Sequence, residues 1–212
     1  MKRIGVFMVD DHELIREGLR RTLSLFPDIS ITGEARSAEE LLGKTIANDA
    51  DIILLDIDLP GRSGFEALAD VKVLYPEARV LFLSMFPEDQ FAVRALKAGA
   101  HGYVTKKAVA QELVDAIRTV ASGKKYVSPT VEQQLLREIG YDAGKSPMES
   151  LSDRELSVLR LIARGKSVGA IAVQLSLSVN TVTTYRRRLL KKLDMKTNAE
   201  LVRFALENRI IM

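Results

Sequence analysis

Ile52-Ile53-Leu54-Leu55-Asp56-Ile57-Asp58-Leu59-Pro60-Gly61 decides the fold. Four apolar residues without polar alternation describe a strand covered on both faces, the habit of a parallel sheet. The run ends on an acid, and a proline and a glycine then break the pattern. The same arrangement recurs on either side of it. Ile4 to Val9 ends on Asp10 and Asp11, Val80-Leu81-Phe82-Leu83 ends on Ser84, and Gly102-Tyr103-Val104-Thr105 ends on Lys106. With a further segment, these predict strands near 3–9, 29–35, 51–56, 79–85 and 101–105. Ligands of open parallel sheets sit beyond the carboxyl ends of the strands. The acids, the serine and the lysine all fall there.

Between the strands lie amphipathic stretches. Leu14, Leu19, Leu23 and Phe26 approximate one apolar stripe, and Ser37 with Glu40 has the spacing of a capping box. Three more helices are predicted over Gly64 to Leu74, Pro87 to Ala98 and Ala110 to Ala121, with Gly99 and Gly123 as stops. Five strand–helix units make a doubly wound α/β domain with right-handed crossovers over residues 1–123. Residues 124–150 read as a linker that holds a short helix from Thr130 to Ile139 and then GYDAGKSPMES, which lacks periodicity. Residues 151–212 are all helical. Helices are expected up to Arg164, over Val168 to Leu175, from about Asn180 to Leu193, and over Asn198 to Asn208. The second and third, joined by the turn Ser176 to Ser178, form a helix-turn-helix pattern.

Composition narrows the function. The chain has no cysteine, which excludes disulfides, thiol catalysis and thiolate-bound zinc. No apolar run approaches the roughly 18 residues of a membrane span, and the N-terminus has no secretory signal pattern, so a cytoplasmic protein without membrane contact is expected. Charge is divided. Residues 1–150 carry 19 basic and 23 acidic residues, a balance of −4, whereas residues 151–212 carry 12 and 5, a balance of +7. Only the second part is suited to a polyanion.

Carboxylates gathered at one sheet edge repel one another unless a cation bridges them. Mg²⁺ prefers oxygen ligands and needs only one or two carboxylates. Asp11 and Asp56 are the expected direct ligands, with Asp10 acting through water and the backbone carbonyl of Asp58 completing the set. Asp56 ends the central strand of the order 2-1-3-4-5. It is the expected nucleophile toward a phosphoryl donor, giving an aspartyl-phosphate. Mg²⁺ and Lys106 would stabilise the transferring oxygens, and the Ser84 hydroxyl would bond one of them.

In the basic helix, Leu189 and Leu193 fall within about 20° of Val182 at 100° per residue. That is the core face, with Leu190 nearby. Thr183, Thr184, Arg187, Arg188, Lys191 and Lys192 occupy the opposite arc. The helix holds five cations and no acid between residues 180 and 193. Arg can bond guanine bidentately and Thr can meet the thymine methyl, whereas Lys191 and Lys192 suit phosphates. Arg186, at the edge of the core face, is assigned no base.

These residues resemble a two-component response regulator of the NarL/FixJ type. The matching pieces are Val9-Asp10-Asp11-His12, Leu55-Asp56-Ile57-Asp58-Leu59-Pro60-Gly61 with Gly64, Leu83-Ser84, and Gly102-Tyr103-Val104-Thr105-Lys106. Leu151 to Leu193 resembles the LuxR-type tetrahelical DNA-binding domain. The resemblance implies a flavodoxin-like receiver whose Asp56 accepts a phosphoryl group from a sensor histidine kinase. It also implies a switch in which Ser84 turns to that group and Tyr103 moves inward. It implies a homodimer, once phosphorylated, on double-stranded promoter DNA. Thr183, Thr184 and Arg187 would then meet the groove and Thr181 a phosphate, and the last helix would dimerise or simply pack on the first. No enzymatic activity is implied beyond phosphorylation and dephosphorylation of Asp56. Tyr185 stands where such domains often have His, and Lys107 where many receivers have Pro. A second reading stays open: Asp56-Ile57-Asp58 also resembles the paired acids of haloacid dehalogenase-type phosphatases. Two features of the sequence count against it, Pro60 and an acid pair placed before the nucleophile.

Overall fold

The computed structural model describes residues 3–43, 50–140, 148 and 150–211. The chain forms two compact units, Met1–Tyr141 and Asp142–Met212. In the first, five strands alternate with five helices: β1 Ile4–Val9, α1 Glu13–Ser24, β2 Ile29–Ala35, α2 Ala38–Gly43, β3 Ile52–Leu55, α3 Gly64–Leu74, β4 Arg79–Ser84, α4 Glu88–Ala98, β5 Gly102–Thr105 and α5 Ala110–Ala121. The sheet order is β2-β1-β3-β4-β5 and the strand pairs are parallel, as expected.

β3 lies between β1 and β4, and all four of its residues are buried. Alternate residues of the sheet feed two cores. Val6, Met8, Ile52, Leu54, Leu81 and Val104 pack with Leu23 of α1 and with Leu113, Ile117 and Val120 of α5. On the other face Phe82 meets the Phe65 ring of α3 at 5.0 Å. A strand buried on both faces cannot alternate polar residues, so polar chemistry is confined to its ends.

α1 departs from the expected stripe. Leu14 is 83% exposed, and the buried face is instead Arg16 and Leu23, flanked by the half-buried Leu19 and Phe26. Leu14 is five residues from Leu19, about 140° around the helix, so it cannot share that face. Ser37 does cap α2, accepting from the Glu40 N–H at 3.1 Å, but Glu40 reaches back to the Arg36 N–H.

The first unit continues past residue 123. Tyr126 forms a bridge to Gly102 at the edge of β5, and its N–H donates to the His101 carbonyl at 2.8 Å. A sixth helix, α6 Pro129–Gly140, packs on α4. The helix expected inside a linker therefore belongs to the first unit. Residues 141–147 and 149, most of the GYDAGKSPMES stretch of the expected linker, lie outside the described residues.

The second unit consists of α7 Asp153–Ala163, α8 Val168–Gln174, α9 Val179–Lys192 and α10 Asn198–Glu207. Serine or threonine caps each start: Ser152, Ser167, Ser178 and Thr197 accept from backbone N–H groups one turn on. α7 packs against α9 and α10, and α8 against α9. Val182 and Leu189 are fully buried, as the helical phase requires. Leu201 and Ala205 are the buried side of α10, which packs on α7. No helix among the described residues is long and apolar enough to cross a membrane.

Candidate functional site

The carboxyl ends of β1, β3, β4 and β5 bring the predicted residues together. Asp10 and Asp56 are each 3% exposed. Lys106 follows β5, and its N–H donates to the Ser84 carbonyl at 2.7 Å, which fixes its stem beside β4. Its Nζ lies 2.5 Å from Asp10 Oδ2 and 2.7 Å from Asp56 Oδ2, joining the two acids. Asp56 Oδ1 accepts the Asp58 N–H at 3.2 Å. Asp58 thus contributes a peptide donor to the site, and its carboxylate is half-buried. Gly64 opens α3 against this loop. A Cβ there would stand 2.1 Å from the Asp56 carbonyl oxygen, which is backbone and cannot yield, so only glycine lets α3 start this close to the acid.

Electrostatics follow from the burial. Burial pushes the Asp56 carboxyl up, Lys106 opposes this, neighbouring Asp10 adds to it, and the net shift is upward. Burial pushes the Lys106 ammonium down, but Asp56 and Asp10 outweigh it and its pKa is raised. The pair is therefore a protonated lysine facing two acids crowded against each other. One ligand atom from each of Asp10, Asp11, His12 and Asp56 lies within 4.8 Å of the others. Three carboxylates with one ammonium leave an excess of negative charge and hard oxygen donors, which suits Mg²⁺. Asp11 is at the exposed rim, where the His12 Nδ1 stands 2.7 Å away.

Two residues outside the expected set also stand at the acid cluster. His12 sits in the acid cluster, also 3.2 Å from Asp10. Arg16 is buried beneath it, where Nη1 donates to the Asp10 carbonyl at 2.7 Å. Its signal in the sequence was a cation in phase with Leu19 and Leu23. His101, by contrast, is structural: its Nδ1 accepts the Val80 N–H at 3.2 Å, and burial together with Arg79, Lys125 and Lys72 lowers its pKa.

Ser84 and Tyr103, the residues expected to form a switch, both reach the backbone of Phe86. Tyr103 is already inward, 3% exposed, and its hydroxyl donates to the Phe86 carbonyl at 3.0 Å. Burial pushes its phenol far up, so it stays a donor. The Ser84 hydroxyl, fully buried, accepts the Phe86 N–H at 3.4 Å. The two side chains hold the backbone of Phe86 from either side of its Cα, and the Phe86 ring stacks on Phe91 of α4 at 4.8 Å.

On α9, Thr184, Arg187, Arg188 and Lys191 are exposed and Thr181 and Thr183 are half-buried. The hydroxyls of Thr183 and Thr184 donate to the Val179 and Asn180 carbonyls at 2.9 and 3.0 Å, which turns their donors away from any base. Their methyls and acceptor lone pairs are what they can offer. Thr181 joins the Ser178 cap, hydroxyl to hydroxyl at 2.8 Å. Arg186 is tied to Asn198 Oδ1 at 2.6 Å, consistent with its omission from the groove set.

Lys192 must be removed from the phosphate set. Its Nζ donates to the buried Glu155 carboxylate at 2.6 Å and to the Ser150 carbonyl at 2.9 Å, fixing the end of α9 to the start of α7. Burial pushes the Glu155 carboxyl up, but Lys192 and the Ser152 N–H and hydroxyl lower it further than burial raises it. Its stabilising effect is therefore full above the unfolded-chain range and fades as pH falls through the depressed value. Lys192→Ala should destabilise this unit by about 1–2 kcal/mol, the lower part of the range for a buried acceptor left unpaired because the ammonium is partly solvated. Hydrogen exchange of the α7 amides in the full chain measures this, and unchanged protection would contradict it.

Comparison with known proteins bears on both units. Residues 6–118 match the model of the response regulator receiver domain, and residues 149–205 match the bacterial regulatory proteins of the luxR family. The chain belongs to the DNA-binding response regulators of two-component systems. The regulator is 37% identical over 206 residues to response regulator UvrY of Escherichia coli K12, covering 97% of this chain and 94% of the relative. It is 36% identical over 209 residues to response regulator GacA of Pseudomonas aeruginosa, covering 98% of each. It resembles the structure of RcsB from Salmonella enterica serovar Typhimurium bound to promoter P1flhDC in the presence of phosphomimetic BeF3-. That match has a TM-score of 0.69 and 25% identity and covers 98% of each chain. The regulator is thus of the NarL/FixJ type, with Asp56 at the centre of its receiver.

Proposed function

We propose that a sensor histidine kinase phosphorylates this regulator on Asp56 in an Mg²⁺-dependent reaction, and that the phosphorylated homodimer binds promoter DNA to regulate transcription. The bridge from Lys106 to both Asp10 and Asp56 carries the reading, because it joins a buried nucleophile to a fixed cation at a sheet edge rich in oxygen donors. An Asp56 carboxylate oxygen would form the new bond to phosphorus as the bond from phosphorus to the donor histidine nitrogen breaks. Lys106 would neutralise oxygen charge developed in transfer, the Asp58 N–H would hold the second Asp56 oxygen, and the Ser84 hydroxyl would donate to the phosphoryl group. Asp10, Asp11 and Asp56, with the Asp58 carbonyl, would hold Mg²⁺, which supplies Lewis-acid stabilisation of the transferring oxygens.

Thr183, Thr184, Arg187 and Arg188 form the proposed groove face, with Thr181 and Lys191 on phosphates. The promoter complex of RcsB, formed with a phosphomimetic, supports the same order of events here. The proposed setting is the cytoplasm, and the proposed chemistry stops at Asp56. A phosphatase would leave the DNA-binding unit without a purpose. Size-exclusion chromatography with light scattering tests the switch. Mg²⁺ and beryllofluoride, which mimics the phosphoryl group, should convert the full chain from monomer to dimer. An unchanged mass would overturn phosphorylation-driven dimerisation.

A further inference from the structure

We propose that Arg16 is a positioning residue of the acid site, one that sets the separation of the Asp10 and Asp11 carboxylates through the backbone of the turn that carries them. The inference rests on the function proposed above and adds a residue to it.

Beyond Val9, β1 leaves the sheet. The Asp10 N–H still finds the Ala35 carbonyl at 3.1 Å, but the Asp10 carbonyl turns to Arg16 Nη1 at 2.7 Å. Arg16 Nε donates at 3.2 Å to Glu34 Oε2 on β2. One rigid guanidinium thus spans α1, the acid turn and the neighbouring strand. The backbone closes the clasp: the Arg16 and Ile15 N–H groups donate to the His12 carbonyl at 3.2 and 3.1 Å, and the His12 N–H returns to Asp10 Oδ1 at 2.9 Å. Asp11 lies inside this loop of bonds.

Burial argues that the guanidinium is there for a reason. Arg16 is 4% exposed, and burying a cation is costly unless it is paired and fully hydrogen-bonded. A neutral donor would satisfy one carbonyl at less cost. The planar fork does what an ammonium cannot, donating at fixed angles to a carbonyl and a carboxylate on different elements. It also puts a second buried cation behind three carboxylates that Lys106 alone does not neutralise. Outer-shell groups that orient metal ligands in this way typically change affinity about 10–100-fold when replaced.

Arg16→Lys keeps the charge and loses the fork. Isothermal calorimetry of Mg²⁺ into the full chain, well below the melting temperature, should show binding about tenfold weaker than wild type. The rate of phosphorylation by acetyl phosphate should recover at saturating Mg²⁺, with its Mg²⁺ midpoint displaced by the same factor. A purely structural arginine would lower the melting temperature and the saturating rate while leaving the Mg²⁺ midpoint in place, and that result overturns the proposal. Should Arg16→Lys fail to fold, Glu34→Gln, which keeps the guanidinium but frees its Nε end, takes its place. A displaced midpoint is again expected, and an unchanged one overturns the proposal. If wild type itself takes up no Mg²⁺, the function proposed above falls and this inference with it. If wild type binds and only the variant midpoint stays fixed, the function stands and the inference alone fails.

Discussion

Asp56→Asn should abolish every effect of a phosphodonor on DNA binding by the full chain. The amide keeps the shape of the side chain and its bond to the Asp58 N–H but cannot attack phosphorus. Footprinting with Mg²⁺ and acetyl phosphate should show protection that rises for wild type and stays at the basal level for the variant. Equal protection would disprove control through this residue. Thermal melts run beside the footprints separate loss of folding from loss of phosphorylation, and Lys106 keeps Asp10 as a partner when Asp56 is replaced. Burial and Asp10 raise the Asp56 carboxyl against the pull of Lys106, so its ionised form is disfavoured in the folded chain. A raised acid binds its proton more readily folded than unfolded, so wild type loses stability as pH rises through the folded value. Thermal melts in chelator should show that loss for wild type, while Asn, which does not titrate, lacks it.

Arg187→Ala is the second large effect. Arg187 is exposed on α9 beside Thr183 and Thr184, and among the described residues no hydrogen bond or ion pair holds it as Glu155 holds Lys192 and Asn198 holds Arg186. A bidentate arginine–guanine pair is worth about 1–3 kcal/mol of discrimination, so affinity for a duplex selected by this protein from a random library should fall roughly 5–150-fold. The loss should concentrate at one base position. Lys191→Ala should weaken selected and unselected duplexes alike and reduce the salt slope by about one. Anisotropy titrations at several salt concentrations separate the two. An Arg187→Ala loss that is uniform across sequences would move this residue to the phosphates.

Much of the receiver was legible because its chemistry sits where apolar runs stop. Val9, Leu55, Leu83 and Thr105 are each followed by the polar group that the site uses, and the strand register needs no guess when both faces are buried. Helix phase was less legible. Leu14 belongs by type to a core and lies by angle on the surface, while Arg16 does the reverse, because its partners Asp10 and Glu34 are gathered by the fold. Lys192 reads as a groove cation on a helical wheel, yet its partner Glu155 lies 37 residues away on another helix. The orientation of Tyr103 was also out of reach. Strand alternation gives the face of a side chain, and the distant Phe86 carbonyl decides where the hydroxyl points.

β3 has a consequence for how long a signal can be kept. Its residues are buried on both sides and flanked by paired strands, and the Asp56 N–H itself donates to the Val9 carbonyl at 2.9 Å. Segments of this kind open only when the whole domain opens, whereas exposed rims fray far more often. The covalent mark proposed for Asp56 would therefore be anchored where thermal breathing is rarest. Asp11 and His12, which stand at the exposed rim, belong to the part free to fluctuate. With Asp56 as the proposed acceptor, the persistence of the stored message would be set by traffic at that rim, by water and by partners reaching it, and not by motion of the strand on which it is written.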